Sequence, residues 1–386
     1  MGDKMKLEPE IRLNGFTEPW KRQKFKSIIN RVSKTSTENR LPRVEFEDII
    51  SGLGQLNKDI NKKDSCKSGT EFLIGDILFG KLRPYLKNWL LPDFEGIAVG
   101  DFWVFRPNES DSHFIYYLIQ SDNFQIVANL TAGTKMPRSD WNIISEAEFG
   151  IPTIKEQTAI GEFFRALDEN ITLHTKKLDG LKQLKKGYLQ QMFPQTGEVV
   201  PRVRFEGFTE HWTQCKLGDI AIITMGQSPD SANYTQNPED HILVQGNADI
   251  KNGWVTPRVW TTQVTKTAQK GCIIMSVRAP VGDVGKTEFD IVLGRGVCGI
   301  NGNEFLFQSL GKMKEDGFWA KISTGTTFEA INSTDIKEAM IPIPCNEEQI
   351  AIGNFFYNLD DQITTQRQKL EQLKQLKAAY LQKMFV

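Results

Sequence analysis

The chain of 386 residues is poor in the side chains that build metal and redox centres. Its five cysteines (Cys66, Cys215, Cys272, Cys298 and Cys345) are never closer than 26 residues. That spacing excludes zinc ribbons and Cys-x-x-Cys redox motifs, and an odd, dispersed set argues against a disulfide framework and for a reducing cytoplasm. The four histidines, His113, His174, His211 and His241, are too dispersed to suggest a metal site. No apolar run approaches the roughly 18 residues of a membrane helix, and no signal-peptide core is present. Charge of one sign is not in excess either. Lys+Arg is 47 against Asp+Glu 48, a net −1, which excludes a uniformly basic coat or an acidic tail but leaves local patches.

Catalytic signatures are missing as well. The chain has no GxxxxGK[ST] phosphate loop, no Asn-Pro-Pro-Tyr string and no spacing that suggests a Ser/His/Asp or Cys/His pair. Gly294-Arg-Gly-Val-Cys-Gly299 matches GxGxxG in form only. A dinucleotide site needs that motif to open a helix, whereas Ile300-Asn-Gly-Asn303 is turn chemistry, so these glycines are expected in tight sheet turns. Neither a catalytic nor a metal site is expected.

What the chain has is an internal repeat. Gln157-Thr-Ala-Ile-Gly-Glu-Phe-Phe164 returns as Gln349-Ile-Ala-Ile-Gly-Asn-Phe-Phe356, an offset of 192, and carrying it to Phe193 and Phe385 gives 22 identities in 37 positions. The offset also holds for Gly15–Glu18 against Gly207–Glu210, Trp20 against Trp212, Gly133-Thr134 against Gly325-Thr326, and Ile151-Pro152 against Ile343-Pro344. In mid-unit it drifts: Gly75-Asp-Ile-Leu78 resembles Gly271-Cys-Ile-Ile274 at an offset of 196. One unit of about 190 residues is thus used twice, with similar frames and dissimilar centres.

Each unit should be an α+β domain followed by a long helix. Ile171, Leu178, Leu181, Tyr188 and Met192, and likewise Ile363, Leu370, Leu373, Tyr380 and Met384, step by seven, three and four as in a coiled-coil seam. His174 and Lys185 in one copy, and Gln366 and Lys377 in the other, interrupt it. Glu156, and Glu347 or Glu348, belong to first turns, where negative charge suits the helix dipole. The two helices are expected to pair antiparallel, each about 57 Å long at 1.5 Å per residue. Phe72–Leu78, Ile97–Phe105, Ile242–Gln245, Gly271–Val277 and Ile291–Ile300 read as strands, and His113–Leu130 and Glu304–Glu315 as helices. The boundaries that follow are a first domain over 1–152, a helix over 153–194, a second domain over 195–344 and a helix over 345–386.

Basic residues cluster where such an architecture could meet phosphate. Lys21, Arg22, Lys24, Lys26, Arg31, Lys34, Arg40 and Arg43 stand with one acid, Glu38, between them. Lys81-Leu-Arg-Pro-Tyr-Leu-Lys87 sets three cations around a Pro turn, and Arg278 beside Pro280 stands as its counterpart. The polar loops Thr131–Trp141 and Ser323–Phe328 suit phosphate contact, with Lys135, Arg138 or Asn332 in reach of base edges.

Those residues carry a resemblance. Gln157–Phe193 and Gln349–Phe385, each after Ile-Pro, resemble the conserved regions of the specificity subunit of type I restriction–modification systems. Gly75–Lys87, Met275–Gly285 and Gly294–Gly299 resemble segments of that family's target recognition domains. The resemblance covers nearly the whole chain from about Pro9. It implies a non-catalytic, DNA-binding subunit that reads an asymmetric bipartite target, one half-site per domain, with the helical pair setting the gap. It implies two modification subunits that bind S-adenosylmethionine and methylate adenine, and restriction subunits that use ATP and Mg. The residues expected to contact DNA on this footing are Lys81, Arg83, Lys135, Arg138 and Trp141 in the first domain, and Arg278, Arg295, Thr326, Thr327 and Asn332 in the second. A coiled-coil adaptor without a DNA role, or a methylation-only orphan subunit, are the alternatives. Salt-sensitive DNA affinity separates the adaptor from a reader.

Overall fold

The computed structural model describes residues 7–60, 67–130, 135–195, 197–323 and 329–386. Cys66 and the segments 131–134 and 324–328, with the expected contacts Thr326 and Thr327, lie outside the described residues. The chain divides into two compact units, one of Met1–Lys176 with Gln368–Val386 and one of Lys177–Arg367. The division falls inside the two long helices, Ile154–Gln191 and Asn346–Lys383, so each unit takes the start of one helix and the end of the other.

Each unit opens and closes on one two-stranded frame. Lys21–Lys24 pairs antiparallel with Glu148–Ile151 in the first, and Thr213–Lys216 with Met340–Ile343 in the second. The registers Lys21↔Ile151 and Thr213↔Ile343 differ by 192 on both strands. The centres differ. In the first unit, a sheet ordered Ile29–Val32, Phe102–Pro107, Ile77–Gly80, Trp89–Leu90 accompanies another ordered Thr35–Ser36, Gly69–Phe72, Gly96–Ala98, Arg43–Val44. The second unit builds its centre from a six-stranded and a five-stranded sheet.

Local chemistry cuts several expected elements in two. Phe72–Leu78 is not one strand, because Leu73–Asp76 is a turn: the Asp76 carboxylate accepts the Leu73 N–H at 2.8 Å and Gly75 sits at φ +88°. Ile97–Phe105 breaks at Gly100, φ +93°, into Gly96–Ala98 and Phe102–Pro107. Ile291–Ile300 breaks into Ile291–Leu293 and Val297–Ile300. The Gly294–Gly296 turn between them is tight as expected, since a Cβ on Gly296 would lie 2.0 Å from the Gln245 carbonyl oxygen. His113–Leu130 is two helices, Ser112–Leu118 capped by Asp111 and Asp122–Ala128 capped by Ser121. Glu304–Glu315 is one helix, its N-terminus capped by Asn303.

The long helices explain their own interrupted seam. Ile171, Leu178, Met192, Ile363, Leu370 and Met384 are all buried. Within the first unit, Phe163 meets Tyr380 edge-on at 5.0 Å and Lys377 reaches Asp168 at 2.7 Å. Within the second, Tyr188 meets Phe355 at 4.9 Å and Lys185 reaches Asp360 at 2.7 Å. In both, the partner's number falls as the residue's number rises, so the segments run antiparallel. Two of the four polar interruptions, Lys185 and Lys377, are therefore matched to aspartates. Tyr117 donates to Asp168 at 2.9 Å, and burial first, then the Asp168 charge, push its phenol well above the ordinary range.

The far helix end also completes each core. Phe164 stacks on Tyr117 and on Phe385 in the first unit, and Phe193 stacks on Phe305 and packs against Phe356 in the second. Phe164 and Phe356 have no exposed surface, and each such ring contributes roughly 1.5–3 kcal/mol. At the helix starts sits a repeated buried ion pair: Arg12 grips Glu156 with both ends at 2.7 and 2.8 Å, and Arg204 grips Glu348 at 2.6 and 2.7 Å. The second-copy acid in this role is Glu348 and not Glu347, which is exposed. Trp212 also donates to Glu348 at 3.2 Å. Both guanidinium groups are held above their ordinary value by that hydrogen bond. Removing one partner of a buried pair strands the other, at a cost of about 3 kcal/mol or more. Glu348→Ala should therefore lower the melting temperature sharply, whereas Glu347→Ala should stay within about 0.5 kcal/mol of wild type; equal melting temperatures for the two variants would show that the pair does not hold the helix start.

Candidate nucleic-acid interface

The interface is built from the frame inward. In the first unit three backbone hydrogen bonds gather three segments: Lys81 N–H to Asp101 O at 2.9 Å, Ser139 N–H to Lys81 O at 2.9 Å, and Arg83 N–H to Pro137 O at 2.8 Å. The second unit repeats all three: Val277 N–H to Gly296 O at 2.9 Å, Ile331 N–H to Val277 O at 3.1 Å, and Ala279 N–H to Glu329 O at 3.1 Å. Isolated bridges Leu82↔Arg138 and Arg278↔Ala330 mark the same place. In the first unit the Lys81–Lys87 turn thus meets residues 137–139, and in the second unit the Arg278 segment meets residues 329–331, by one backbone scheme used twice.

That scheme corrects one sequence alignment. Arg83 and Arg278 are not equivalent, because Lys81, Leu82 and Arg83 occupy the backbone positions of Val277, Arg278 and Ala279. The first unit carries cations at Lys81, Arg83 and Arg138, where the second has Val277, Ala279 and Ala330. The second carries them at Arg278 and Arg295, where the first has Leu82 and Gly100. The frame is common and the positive charge is redistributed on it.

The cations are held in different ways. Asp101 reaches Arg138 at 3.1 Å and Lys81 at 3.7 Å, drawing two chain segments to one carboxylate. Lys135 is exposed, as are Arg278 and Arg295. The Arg295 N–H bonds to the Ser228 hydroxyl at 3.1 Å, which fixes the turn and leaves its side chain outward-going and exposed. These are groups that can meet phosphate or base edges without first breaking a strong internal pair.

Two of the expected contacts also have a structural role. Trp141 packs against Trp103 and Phe105 at 5.6 and 6.1 Å, and the Arg31 guanidinium covers its ring at 4.6 Å. Asn332 caps the helix Ser333–Lys337, its side-chain oxygen accepting from Thr334 and Asp335 at 2.8 and 3.0 Å. Asp140, 192 residues earlier, caps Trp141–Glu146 in the same way. Much of the basic run from Lys21 to Arg43 is held by partners within the unit. Lys24 and Lys26 both bind Glu146, holding its carboxyl down at about 2. Lys34 pairs with Glu71 at 2.8 Å, and Arg43 is buried among the carbonyls of Lys67, Leu41, Thr37 and Glu38. Charge density in sequence therefore overstated phosphate-binding surface here. Among the described residues no group of acids, histidines and cysteines is placed to hold a metal.

The family described as the type I restriction modification DNA specificity domain matches residues 19–183 and again 209–375. The chain belongs to that family. It carries two specificity domains whose matches each run from the frame through most of a long helix. The chain is similar to the MjaX specificity subunit of Methanocaldococcus jannaschii, a type I restriction enzyme subunit by name, at 27% identity over 390 residues, spanning 95% of this chain and 88% of that protein. The MjaVIII specificity subunit of the same organism is 23% identical, over 88% and 84% of the two chains. In fold, the S subunit of a type I restriction-modification system from M. genitalium superposes with a TM-score of 0.68 at 16% identity, covering 98% of this chain and 99% of that one. A chain solved in work on complex assembly and conformational transition of the type I R-M system gives 0.59 at 24% identity, covering 94% and 96%.

The two specificity domains generate paired expectations. Arg138→Ala should weaken binding to cognate DNA, measured by gel shift with the modification partner present; unchanged affinity for both cognate and scrambled DNA would remove that loop from the interface. Asn332→Asp, which keeps a cap, should leave DNA recognition intact, and Asn332→Ala should cost about 1 kcal/mol of stability. A change of target preference in Asn332→Asp would restore a reading role to that side chain.

Proposed function

We propose that the chain is the non-catalytic, DNA-reading specificity subunit of a type I restriction–modification complex. The observation that supports this most directly is the repeated three-bond scaffold with unlike side chains on it. A shared backbone scheme places both loop clusters alike, and cations at different positions on it suit them to different base sequences. The target is then bipartite and asymmetric, one half-site per domain, because half-site spacing follows from the distance between readers. The antiparallel helix segments act as the spacer.

Chemistry belongs to the partners in this reading. Two modification subunits dock on the repeated frames and helices, a repeat in one chain offering two alike faces to two identical partners. They carry S-adenosylmethionine and methylate adenine, and restriction subunits bring ATP and Mg. In this reading the cofactors are held by the partners and none by this chain. No helix among the described residues is long and apolar enough to cross a membrane, and the complex is expected to act in the cytoplasm, where its DNA substrate is. Methylated adenines mapped in DNA from cells carrying this chain and its modification partner should fall in a gapped, asymmetric motif, and gel shifts should weaken steeply as salt is raised. A symmetric, ungapped motif would overturn the proposal.

A further inference from the structure

The turn Arg83–Lys87 in the first domain is built to project. Arg83 and Lys87, neither of them glycine, both hold left-handed backbone at φ +49° and +55°, a conformation costing of order 1 kcal/mol each that persists where the surroundings enforce it. Pro84–Leu86 between them is a single 3-10 turn, closed by Leu86 N–H to Arg83 O and Lys87 N–H to Pro84 O, both 2.8 Å. Four further bonds pin its ends: Arg83 N–H to Pro137 O at 2.8 Å, Gly80 N–H to Asn88 O at 2.7 Å, Gly52 N–H to Lys87 O at 2.9 Å, and the Ser51 hydroxyl to Leu86 O.

On this rigid support the Tyr85 side chain is 54% exposed. The Lys81 and Arg138 cations lie on the bonded neighbouring segments, and the exposed Lys87 follows two residues on. Arg83 makes no ion pair among the described residues, and its buried Nε has no hydrogen-bond partner. The second domain lacks the device. Ala279-Pro280 stands where Arg83-Pro84 does, and the residue in the place of Tyr85 is Val281, only 6% exposed and part of the apolar cluster around Trp319. An aromatic ring held out by a strained, fully bonded turn among cations is a poor use of apolar surface unless something covers it.

We infer that Tyr85 is a specificity-determining residue of the first domain, its ring and hydroxyl meeting a base edge of one half-site while Arg83 and Lys87 take flanking phosphates. This rests on the proposed DNA-reading function and adds to it: the two half-sites are read by different means, one with a projecting aromatic probe and the other without.

The test uses the chain assembled with its modification subunits and compares wild type, Tyr85→Phe and Tyr85→Ala. Because Tyr85 is exposed, melting temperatures should stay level. Tyr85→Ala is expected to lose about tenfold or more in affinity for cognate DNA, a difference of the size one good base contact carries, with affinity for scrambled DNA unchanged. Methylation mapping should then show relaxed sequence at one half-site and an unaltered other half. Tyr85→Phe should fall between if the hydroxyl reads the base, and match wild type if the ring alone does. Equal loss on cognate and scrambled DNA, relaxation at both half-sites, or no change in Tyr85→Ala would each overturn the inference. If wild type still gives a gapped methylated motif while Tyr85→Ala is silent, this inference fails and the reading of the chain as a specificity subunit stands.

Discussion

Each unit depends on a segment that arrives from far along the chain. Phe385 lies against Phe114 and Phe164 in the first unit, and Phe193 against Trp212, Phe305 and Phe356 in the second. Without the far helix end, large apolar rings at the base of each core would face water, and burial of such rings is the dominant favourable term in folding. The first unit's core is thus completed by Phe385, although its candidate recognition loops all lie before residue 150. The charge pairs Lys377–Asp168 and Lys185–Asp360 then select the antiparallel register. A half-buried lysine slid past its aspartate would lose its partner, which disfavours other registers.

The same economy separates frame from reader. Residues shared at the offset of 192 are those that close the units: the paired frame strands, Arg12 and Arg204, Glu156 and Glu348, Trp20 and Trp212, and the helix seam. Around the candidate recognition loops the backbone hydrogen bonds persist where the side chains do not. A backbone amide bonds a backbone carbonyl whatever the side chains are, so the three-bond scaffold survives when Lys81 becomes Val277 and Arg138 becomes Ala330. Recognition surfaces can therefore diverge without disturbing what places them.

Much of this was legible from residues alone. A repeat of 22 identities in 37 positions needs no coordinates, nor does a helix whose apolar side chains return at steps of seven, three and four. Paired segments that coil and split were harder. Leu73–Asp76 reads as strand by side-chain type, yet an Asp side chain and a left-handed Gly75 turn it. The basic run up to Arg43 looked like a phosphate patch because sequence shows cations and hides their partners; Glu146 and Glu71 pair with Lys24, Lys26 and Lys34 from elsewhere in the chain, and nearby carbonyls hold Arg43. The cap role of Asn332 was hidden in the same way, since it shows only once the helix start is located.

By itself, then, the sequence determined the class of molecule: two like units, each with a long amphipathic helix, no catalytic or metal-binding constellation, and cations beside proline turns. Periodicity and repetition are one-dimensional properties, and they survive being read in one dimension. Tertiary structure alone decided which of two glutamates enters the buried pair, which cations remain exposed, and that Arg83 and Arg278 stand on different backbone positions. It also decided that Tyr85 projects while Val281, its counterpart, is buried. Those outcomes turn on which groups meet across tens of residues of chain or more, and the energy of a charge or a ring is set by what it meets.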